Sequence, residues 1–472
     1  SVVLVVPTVE EGEFFFSQLQ RGITQRTHLL DGNRGIRALR HAYAQLQESP
    51  DPVLVIATVQ YAFFTRGDIG TIIVERARSF AYRSRFRPYL DARHALTVYA
   101  RQSLCRLITA DTLIRTEDAL LLRDNRAIPF EEHRPKRLEF PGTLKTIPMK
   151  NDADGTLSFT LFSPITLETI EKTRSAGGRA FLFCARRGLA PLVVCADCGS
   201  ILRCPRSGSP LALQRIFRNG VEERWLVSSV SGYKRKADEL CPQCGSWRLQ
   251  PRGIGIQQVY DELVTRLGSQ DIILFDHHTA STRKKASALI DAFNHKKKTI
   301  LLGTALALPY LHTLVDFSAV VNMDALRAIP SWRQQEESLG ILLTLREKTE
   351  GYVFIQTRSE NDDVIRYAKN GTIDAYYTDE LAVRKQFAYP PYFTFIHLTW
   401  QKQPDDMLGS VIAETFAPFD IAIYGGAPPA ENSLGYGLIR VPSADWPQDA
   451  LVDALRSLPP SVRIIINPDR IV

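Results

Sequence analysis

The apolar positions of this chain fall into strand-length blocks separated by amphipathic stretches. Continuous apolar runs at 2–7, 53–59 and 69–75 predict strands, and 105–110 predicts a fourth. Helical periodicity fills 10–20, 32–46 and 91–104 between them. Strands apolar on both faces and alternating with helices predict a parallel sheet covered on each side. Residues 122–163 mix Pro, Gly and charge without clear periodicity and suit a linker. The alternation resumes with helices at 166–175, 257–267, 281–293 and 332–347. Strands are predicted at 180–185, 271–276, 299–303, 319–323 and 352–356. After Tyr377 the pattern changes to two helices and about three strands, an α+β tail. The predicted fold is therefore α/β, with two parallel-sheet lobes in tandem. The predicted divisions are lobe 1 over 1–125, a linker leading into lobe 2 over 126–165, lobe 2 over 166–370 and a C-terminal α+β domain over 371–472. A cysteine-rich segment at about 190–252 interrupts lobe 2.

Composition narrows the class. A chain of 472 residues suits about three domains at roughly 150 residues each. Its 44% hydrophobic and 23% charged residues exclude a disordered chain, a collagen and a disulfide-stapled mini-protein. No apolar run reaches the roughly 18 residues of a membrane span, so no membrane partner is expected. The N-terminus lacks a basic n-region and a small-residue cleavage site, and is not read as a signal peptide. The absent Met suggests that the chain begins inside a longer one or after processing. The net charge of +7 is uneven. Residues 75–106 hold eight Arg against two acids, and 201–252 hold ten Lys or Arg against four. Residues 401–472 hold five bases against nine acids. Two basic stretches on a balanced chain point to a polyanion, nucleic acid first, with solvated surface faces as the alternative.

Five of the seven cysteines fall within fifty residues. Cys195-Ala-Asp-Cys198-Gly and Cys241-Pro-Gln-Cys244-Gly are two Cys-x₂-Cys knuckles, each followed by Gly. Each presents two thiolates on a tight turn, and two such turns complete a tetrahedral Cys₄ site that suits one structural Zn²⁺. Without a secretory signal, the cysteines read as metal ligands in a reducing, cytoplasmic compartment. Cys204-Pro-Arg-Ser207 looks like a further knuckle with one thiol lost, and Ser228-Ser-Val-Ser231 like one with both lost. Serine is a poor Zn²⁺ ligand at neutral pH, so this second set is expected to hold no metal.

From Ala185 to the Cys244-Gly-Ser segment the chain resembles the zinc insertion of the PriA family, superfamily 2 DNA helicases of bacterial replication restart. In that family the segment carries two nested Cys₄ sites. Ser228, Ser231, Gly232, Tyr233 and Lys234 fall where the family has a Cys-x-x-Cys-Gly-Tyr-Lys knuckle. The resemblance extends over 53–75, 79–106, 279–285, 303–304 and 328–344. It continues through Arg384-Lys-Gln-Phe-Ala-Tyr-Pro-Pro-Tyr392 and 462–469. It implies two RecA-like lobes with a zinc module spliced into lobe 2. It also implies forked or single-stranded DNA as ligand, with primosome proteins, single-stranded DNA-binding protein and the replicative helicase loading machinery as partners.

The helicase motifs themselves depart from the family pattern. No phosphate-cradling Gly-x-Gly-Lys-Ser/Thr loop is present, but the chain starts at what resembles the strand after that loop, so truncation could account for its absence and the expectation rests on the other motifs. Where the family has Asp-Glu-x-His, a Walker B that holds Mg²⁺ and polarises water, this chain has Glu75-Arg76-Ala77-Arg78. Motif III has become Ile108-Thr109-Ala110-Asp111. Motif V keeps Gly303-Thr304 but has Pro309-Tyr310 in place of Lys-Gly. Motif VI lacks its paired arginine fingers, since Thr344 is followed by Leu345-Arg346-Glu347-Lys348. Losing one arginine finger alone costs about 10³–10⁵ in rate. A pseudo-helicase is therefore expected, no catalytic residue is assigned, and ATP and Mg²⁺ are doubtful as cofactors.

DNA binding does not need ATP chemistry. Phe80, Tyr82, Phe86 and Tyr89 interleave with Arg78, Arg83, Arg85 and Arg87, which pairs base-stacking rings with phosphate-neutralising cations. The alternative is that these rings pack as a local core. Lys234 and Arg235, with Arg215, Arg218, Arg224 and Lys236, form a second basic group in or near the cysteine module. The expected function is a replication restart protein that binds forked or single-stranded DNA and scaffolds primosome assembly. The competing readings are an active 3′→5′ helicase with a divergent site and a protein-interaction scaffold without DNA binding.

Overall fold

In the computed structural model the described residues are 1–64, 66–84, 86–130, 138–149, 160–218, 221–228, 231–237, 240–402, 406–424 and 434–471. The side chains of Phe217 and Arg218 are also outside the description. The chain divides into two units, Ser1–Lys136 and Arg137–Val472.

The first unit is lobe 1. Its strands are β1 (Val2–Val6), β2 (Thr27–Leu30), β3 (Leu54–Thr58), β4 (Thr71–Val74) and β5 (Arg106–Thr109). They form one parallel sheet in the order β2-β3-β1-β4-β5. Helices α1 (Val9–Leu19), α2 (Ile36–Glu48), α3 (Ala92–Gln102) and α4 (Thr116–Arg123) connect and cover it. Val3, Val5, Val55, Ala57, Ile72 and Val74 face one core on the sheet, while Leu4, Val6 and Ile56 face another. This two-sided burial accounts for the unbroken apolar runs in the sequence. Thr8 caps the start of α1: its hydroxyl oxygen accepts from the Glu11 amide, and the hydroxyl donates to the Glu11 carboxylate at 2.8 Å. Strand β2 and helix α4 were absent from the sequence reading. The first is four residues long, and the second carries only eight.

The second unit begins with β6 (Thr143–Pro148), in the region read as linker. Only Leu144 and Ile147 of this strand are buried, as suits a sheet edge that pairs, among the described residues, with β16 alone. Helix α5 (Pro164–Ser175) and strand β7 (Ala180–Phe183) follow. The insertion then contains β8 (Leu192–Cys195), β9 (Ala212–Arg218), β10 (Val221–Val227), β11 (Lys234–Lys236) and β12 (Leu249–Arg252). Lobe 2 resumes with α6 (Ile256–Leu267), β13 (Ile272–Phe275), α7 (Arg283–His295), β14 (Ile300–Gly303) and β15 (Val315–Val320). It ends with α8 (Met323–Arg327), α9 (Gln334–Glu347) and β16 (Thr349–Thr357). Its sheet is parallel throughout, in the order β13-β14-β7-β15-β16-β6. Strand β15 starts four residues earlier than its apolar run suggests, because Asp316 and Ser318 interrupt the pattern.

Helices α10 (Asp363–Asn370) and α11 (Ile373–Gln386) lead to the C-terminal domain. That domain contains β17 (Phe393–Gln401), α12 (Met407–Phe416), β18 (Ala422–Tyr424), β19 (Leu434–Pro442), α13 (Asp449–Ser457) and β20 (Arg463–Ile466). The sheet is antiparallel, ordered β18-β19-β17-β20, one strand more than the sequence suggested. Beneath the join, Arg384 is fully buried between Glu336 at 2.6 Å and Glu380 at 2.7 Å. Both partners are buried too, which keeps that charge compensated.

Candidate metal centre and nucleic-acid interface

The insertion leaves and rejoins lobe 2 at one place. Gly255, Ile256 and Gln257 amides donate to the carbonyls of Leu189, Arg186 and Gly188. Gln257 reads both backbone groups of Arg215 at 2.9 Å, and the Arg215 guanidinium grips Asp261 at 2.8 and 3.0 Å. Arg215 thus seats the module on α6. Two small antiparallel sheets, β11-β10-β9 and β12-β8, enclose a core of Ala190, Val193, Leu202, Leu211, Leu213 and Leu226.

At one end of this core the four cysteines converge. The donor atoms of Cys195, Cys198, Cys241 and Cys244 all lie within 4.8 Å of one another. Cys195 Sγ is 3.6 Å from Cys244 Sγ, and Cys198 Sγ is 3.8 Å from Cys241 Sγ. A tetrahedron with metal–sulfur bonds of about 2.3 Å has edges of about 3.8 Å, so the residues fit a Cys₄ ion. Such a set is closed: a metal there would be structural and would supply no open coordination position. Ser200 is a participant the sequence reading missed. Its hydroxyl lies 3.0 Å from Cys198 Sγ and 3.5 Å from Cys241 Sγ. It pulls the Cys241 thiol down to about 6, with backbone amides of the same knuckle assisting, and it lowers Cys198 as well. The signal was present: knuckles at 195, 204 and 241 all continue Gly-Ser.

The second predicted set also comes together. Cys204 Sγ is 3.1 Å from Ser231 Oγ, and Ser207 Oγ is 3.3 Å from Ser228 Oγ.

At Glu75-Arg76, expected from the sequence to stand at the Walker B position, the backbone turns sharply after β4, with Arg76 at φ 46°. Arg76 Nη1 reaches back 2.5 Å to Glu11, which is buried in the first turn of α1. Burial raises the Glu11 carboxyl above the usual range, and Arg76 and Thr8 oppose that rise. Glu75 contributes its backbone carbonyl to Tyr82 Oη at 2.6 Å. Asp111, at the motif III position, accepts from the Arg78 amide at 2.9 Å and its guanidinium at 3.0 Å. Near the motif VI position, Arg346 is buried and donates to the carbonyls of Gly142 and Ala368.

The predicted DNA loop needs correcting. Tyr82 is fully buried, with its hydroxyl bonded to Val5 O and Glu75 O, so it belongs to the lobe 1 core and is not a stacking platform. Arg78 is committed to Asp111 and to Leu113 O. Arg83 pairs with Asp91, which also takes Arg93. Burial alone would raise the Asp91 carboxyl, but Arg93, Arg83 and Arg115 hold it down to about 2. Arg85 lies outside the described residues. Phe86, 79% exposed, and Arg87 remain on the surface, with Phe80 half exposed. In the module, Lys234 and Lys236 are exposed and Arg235 is half-buried. No described helix is long and apolar enough to cross a membrane.

Two parallel α/β lobes of RecA-like layout, with a four-cysteine module spliced into the second, define the class of this chain. Its sequence is similar to that of replication restart protein PriA. It is 26% identical over 374 residues to the protein of Bacillus subtilis (strain 168), covering 78% of this chain and 45% of that one. Against PriA of Chlamydia muridarum the identity is 26% over 352 residues, covering 73% and 46%. Against that of Helicobacter pylori it is 23% over 408 residues, covering 83% and 60%. The PriA resemblance seen in the four-cysteine insertion therefore holds over about three quarters of the chain, which spans about half the length of the curated relatives it matches. No family model matches. Among solved structures, S. cerevisiae Dbp5 bound to RNA and ADP BeF3 is 10% identical at TM-score 0.42, covering 82% of this chain and 81% of that one. RecG bound to a three-way DNA junction is 12% identical at TM-score 0.40, covering 82% and 43%. Likenesses at such scores carry no functional weight.

Proposed function

We propose that this chain is a PriA-like replication restart factor that binds forked or single-stranded DNA and no longer drives it with ATP. The observation that carries the reading is the Cys₄ module nested in the second lobe, on a chain similar to replication restart proteins. The four cysteines would hold one Zn²⁺, which would fix the module as a rigid platform on α6 through Arg215 and Gln257. Exposed Phe86 and Arg87 on lobe 1, and Lys234 and Lys236 on the module, supply ring and cation contacts for a nucleic acid. Loss of the motor is supported by the commitments of its former motif positions. Arg76 is tied to Glu11, Asp111 to Arg78 and Arg346 to backbone carbonyls. The protein would then act as a scaffold for primosome proteins, single-stranded DNA-binding protein and the replicative helicase loader, in the cytoplasm. The test is binding of a fluorescent fork, a single strand and a blunt duplex, alongside ATP turnover with and without single-stranded DNA. Fork or single-strand binding without stimulated turnover is expected. Stimulated turnover overturns the decayed motor, and absence of any DNA binding leaves a protein-interaction scaffold.

A further inference from the structure

Four six-residue segments of the module close with the same two backbone hydrogen bonds, and two of them carry serine at one or both of the positions where the others carry cysteine. In each copy the first residue's amide donates to the sixth carbonyl, and the Gly at position five donates back to the first. For 195–200 these distances are 2.9 and 3.0 Å, for 204–209 2.8 and 2.9 Å. For 228–233 they are 2.9 and 3.1 Å, and for 241–246 2.8 and 2.9 Å. The fifth residues, Gly199, Gly208, Gly232 and Gly245, have φ of 70°, 69°, 69° and 74°, the left-handed region that glycine enters at no steric cost.

The turns pair crosswise in the same way. In the outer pair, the first position of one turn meets the fourth of the other: Cys195 with Cys244, Cys241 with Cys198. In the inner pair, Cys204 meets Ser231 and Ser228 meets Ser207. The chemistry differs. The outer pair offers four thiols; the inner offers one thiol and three hydroxyls. Ser209, the sixth residue of its turn, adds a hydroxyl 2.9 Å from Ser207 and 3.0 Å from Ser228. The buried hydroxyls thus satisfy one another, and none of them is an unpartnered polar atom that a cation would be needed to satisfy.

This inner pair also makes a contact with the C-terminal sheet. The Leu434 amide, at the start of β19, donates to Arg206 O at 2.6 Å, and Tyr436 Oη donates to Ser207 O at 3.4 Å. Arg206 and Ser207 are the third and fourth residues of the inner turn.

We propose that the inner turn pair is a metal-free copy of the outer one, closed by serine hydroxyls, and that it fastens the module to β19 independently of metal. The inference rests on the outer set being the metal centre. Four samples test it by metal content, by cobalt(II) substitution and by hydrogen exchange. The unmodified chain and Cys204→Ser should each hold one metal with the same thiolate-to-cobalt absorption. Cys241→Ser/Cys244→Ser should hold none, while the Leu434 amide stays protected. Ser207→Cys/Ser228→Cys/Ser231→Cys should gain a second ion and about double the cobalt band, given four thiolates in place of one. Loss of metal in Cys204→Ser, or two ions in the unmodified chain, overturns the proposal. So does a folded triple-Cys variant that still takes one ion, or loss of Leu434 protection on stripping the outer metal. If the triple variant does not fold, Cys204→Ser and the exchange data decide. An unmodified chain with no metal would instead refute the outer centre itself.

Discussion

The Arg76 guanidinium lies 2.5 Å from the carboxylate of Glu11, across the turn that follows β4. The residue that the family resemblance would set at the water-polarising base is here the partner of a buried acid at the start of α1. No ATP hydrolysis above background is expected, with or without single-stranded DNA, in a coupled phosphate-release assay. Glu75→Asp/Arg76→Glu should not restore it, because it sets a new carboxylate against Glu11 and supplies no arginine finger. Arg76→Ala should cost about 1–3 kcal/mol in urea unfolding, the price of leaving a buried charged group without its partner. Arg76→Ala/Glu11→Gln should recover most of that loss.

The Cys₄ geometry predicts one zinc per chain by mass spectrometry. The variant Cys241→Ser/Cys244→Ser should lose it and become sensitive to proteolysis around the outer turns, 195–200 and 241–246. Lobe 1 and the lobe 2 sheet should stay folded, because their cores share no residue with the module core. Metal content of about zero with intact lobes is the expected pairing. Retention of the ion would mean that other ligands hold it.

The surface loop of lobe 1 gives separable signatures. Phe86→Ala should weaken single-strand binding by about 1–3 kcal/mol and leave its salt dependence unchanged. Arg87→Ala should flatten the log–log salt slope by about 0.7, one phosphate's worth. Arg83→Ala should act on stability through Asp91, with little change in slope. Tyr82→Ala should destabilise lobe 1 by about 3–5 kcal/mol, as loss of a large core ring does. Fluorescence titrations at several salt concentrations and melts of the same variants check all four. If Arg87 and Phe86 are both silent, the exposed lysines of β11 are the next DNA contact to test.

The parallel lobes were legible because their strands are buried on both faces and so read as unbroken apolar blocks. The short elements were not. Thr27–Leu30 gains its identity from pairing with β3, and Thr143–Pro148 from pairing with β16, which are contacts no local pattern records. The outer knuckle pair was legible from Cys and Gly spacing, and the inner turns from Ser standing at the same spacing before Gly, since each turn is encoded within six residues. The Arg and aromatic loop misled for the opposite reason. Its spacing suits DNA, but Tyr82 points under β1 and Arg78 and Arg83 meet Asp111 and Asp91, distant or folded-back acids that periodicity does not reveal.

The C-terminal sheet carries an acid-sensitive group. His397 on β17 is buried, lies flat against Tyr436 with ring centroids 5.8 Å apart, and leaves Nε2 without a hydrogen-bond partner among the described residues. Burial, reinforced by the charge of Arg463, brings its pKa down to about 4, against a smaller upward pull from the backbone at Ile471. Above pH 6.5 the imidazole is neutral whether the chain is folded or not, so it has no effect on stability there. Between about 6.5 and 4 the unfolded chain takes up a proton that the folded chain refuses, and unfolding gains by up to about 3 kcal/mol. Below about 4 both states are protonated and the penalty stops growing. His397→Phe keeps the ring stack and removes the titration. Urea melts from pH 7 to 4.5 should therefore show the unmodified chain losing stability faster than the variant, the gap widening steadily below pH 6.5. Parallel curves for the two would mean that His397 finds a proton acceptor in the folded sheet after all.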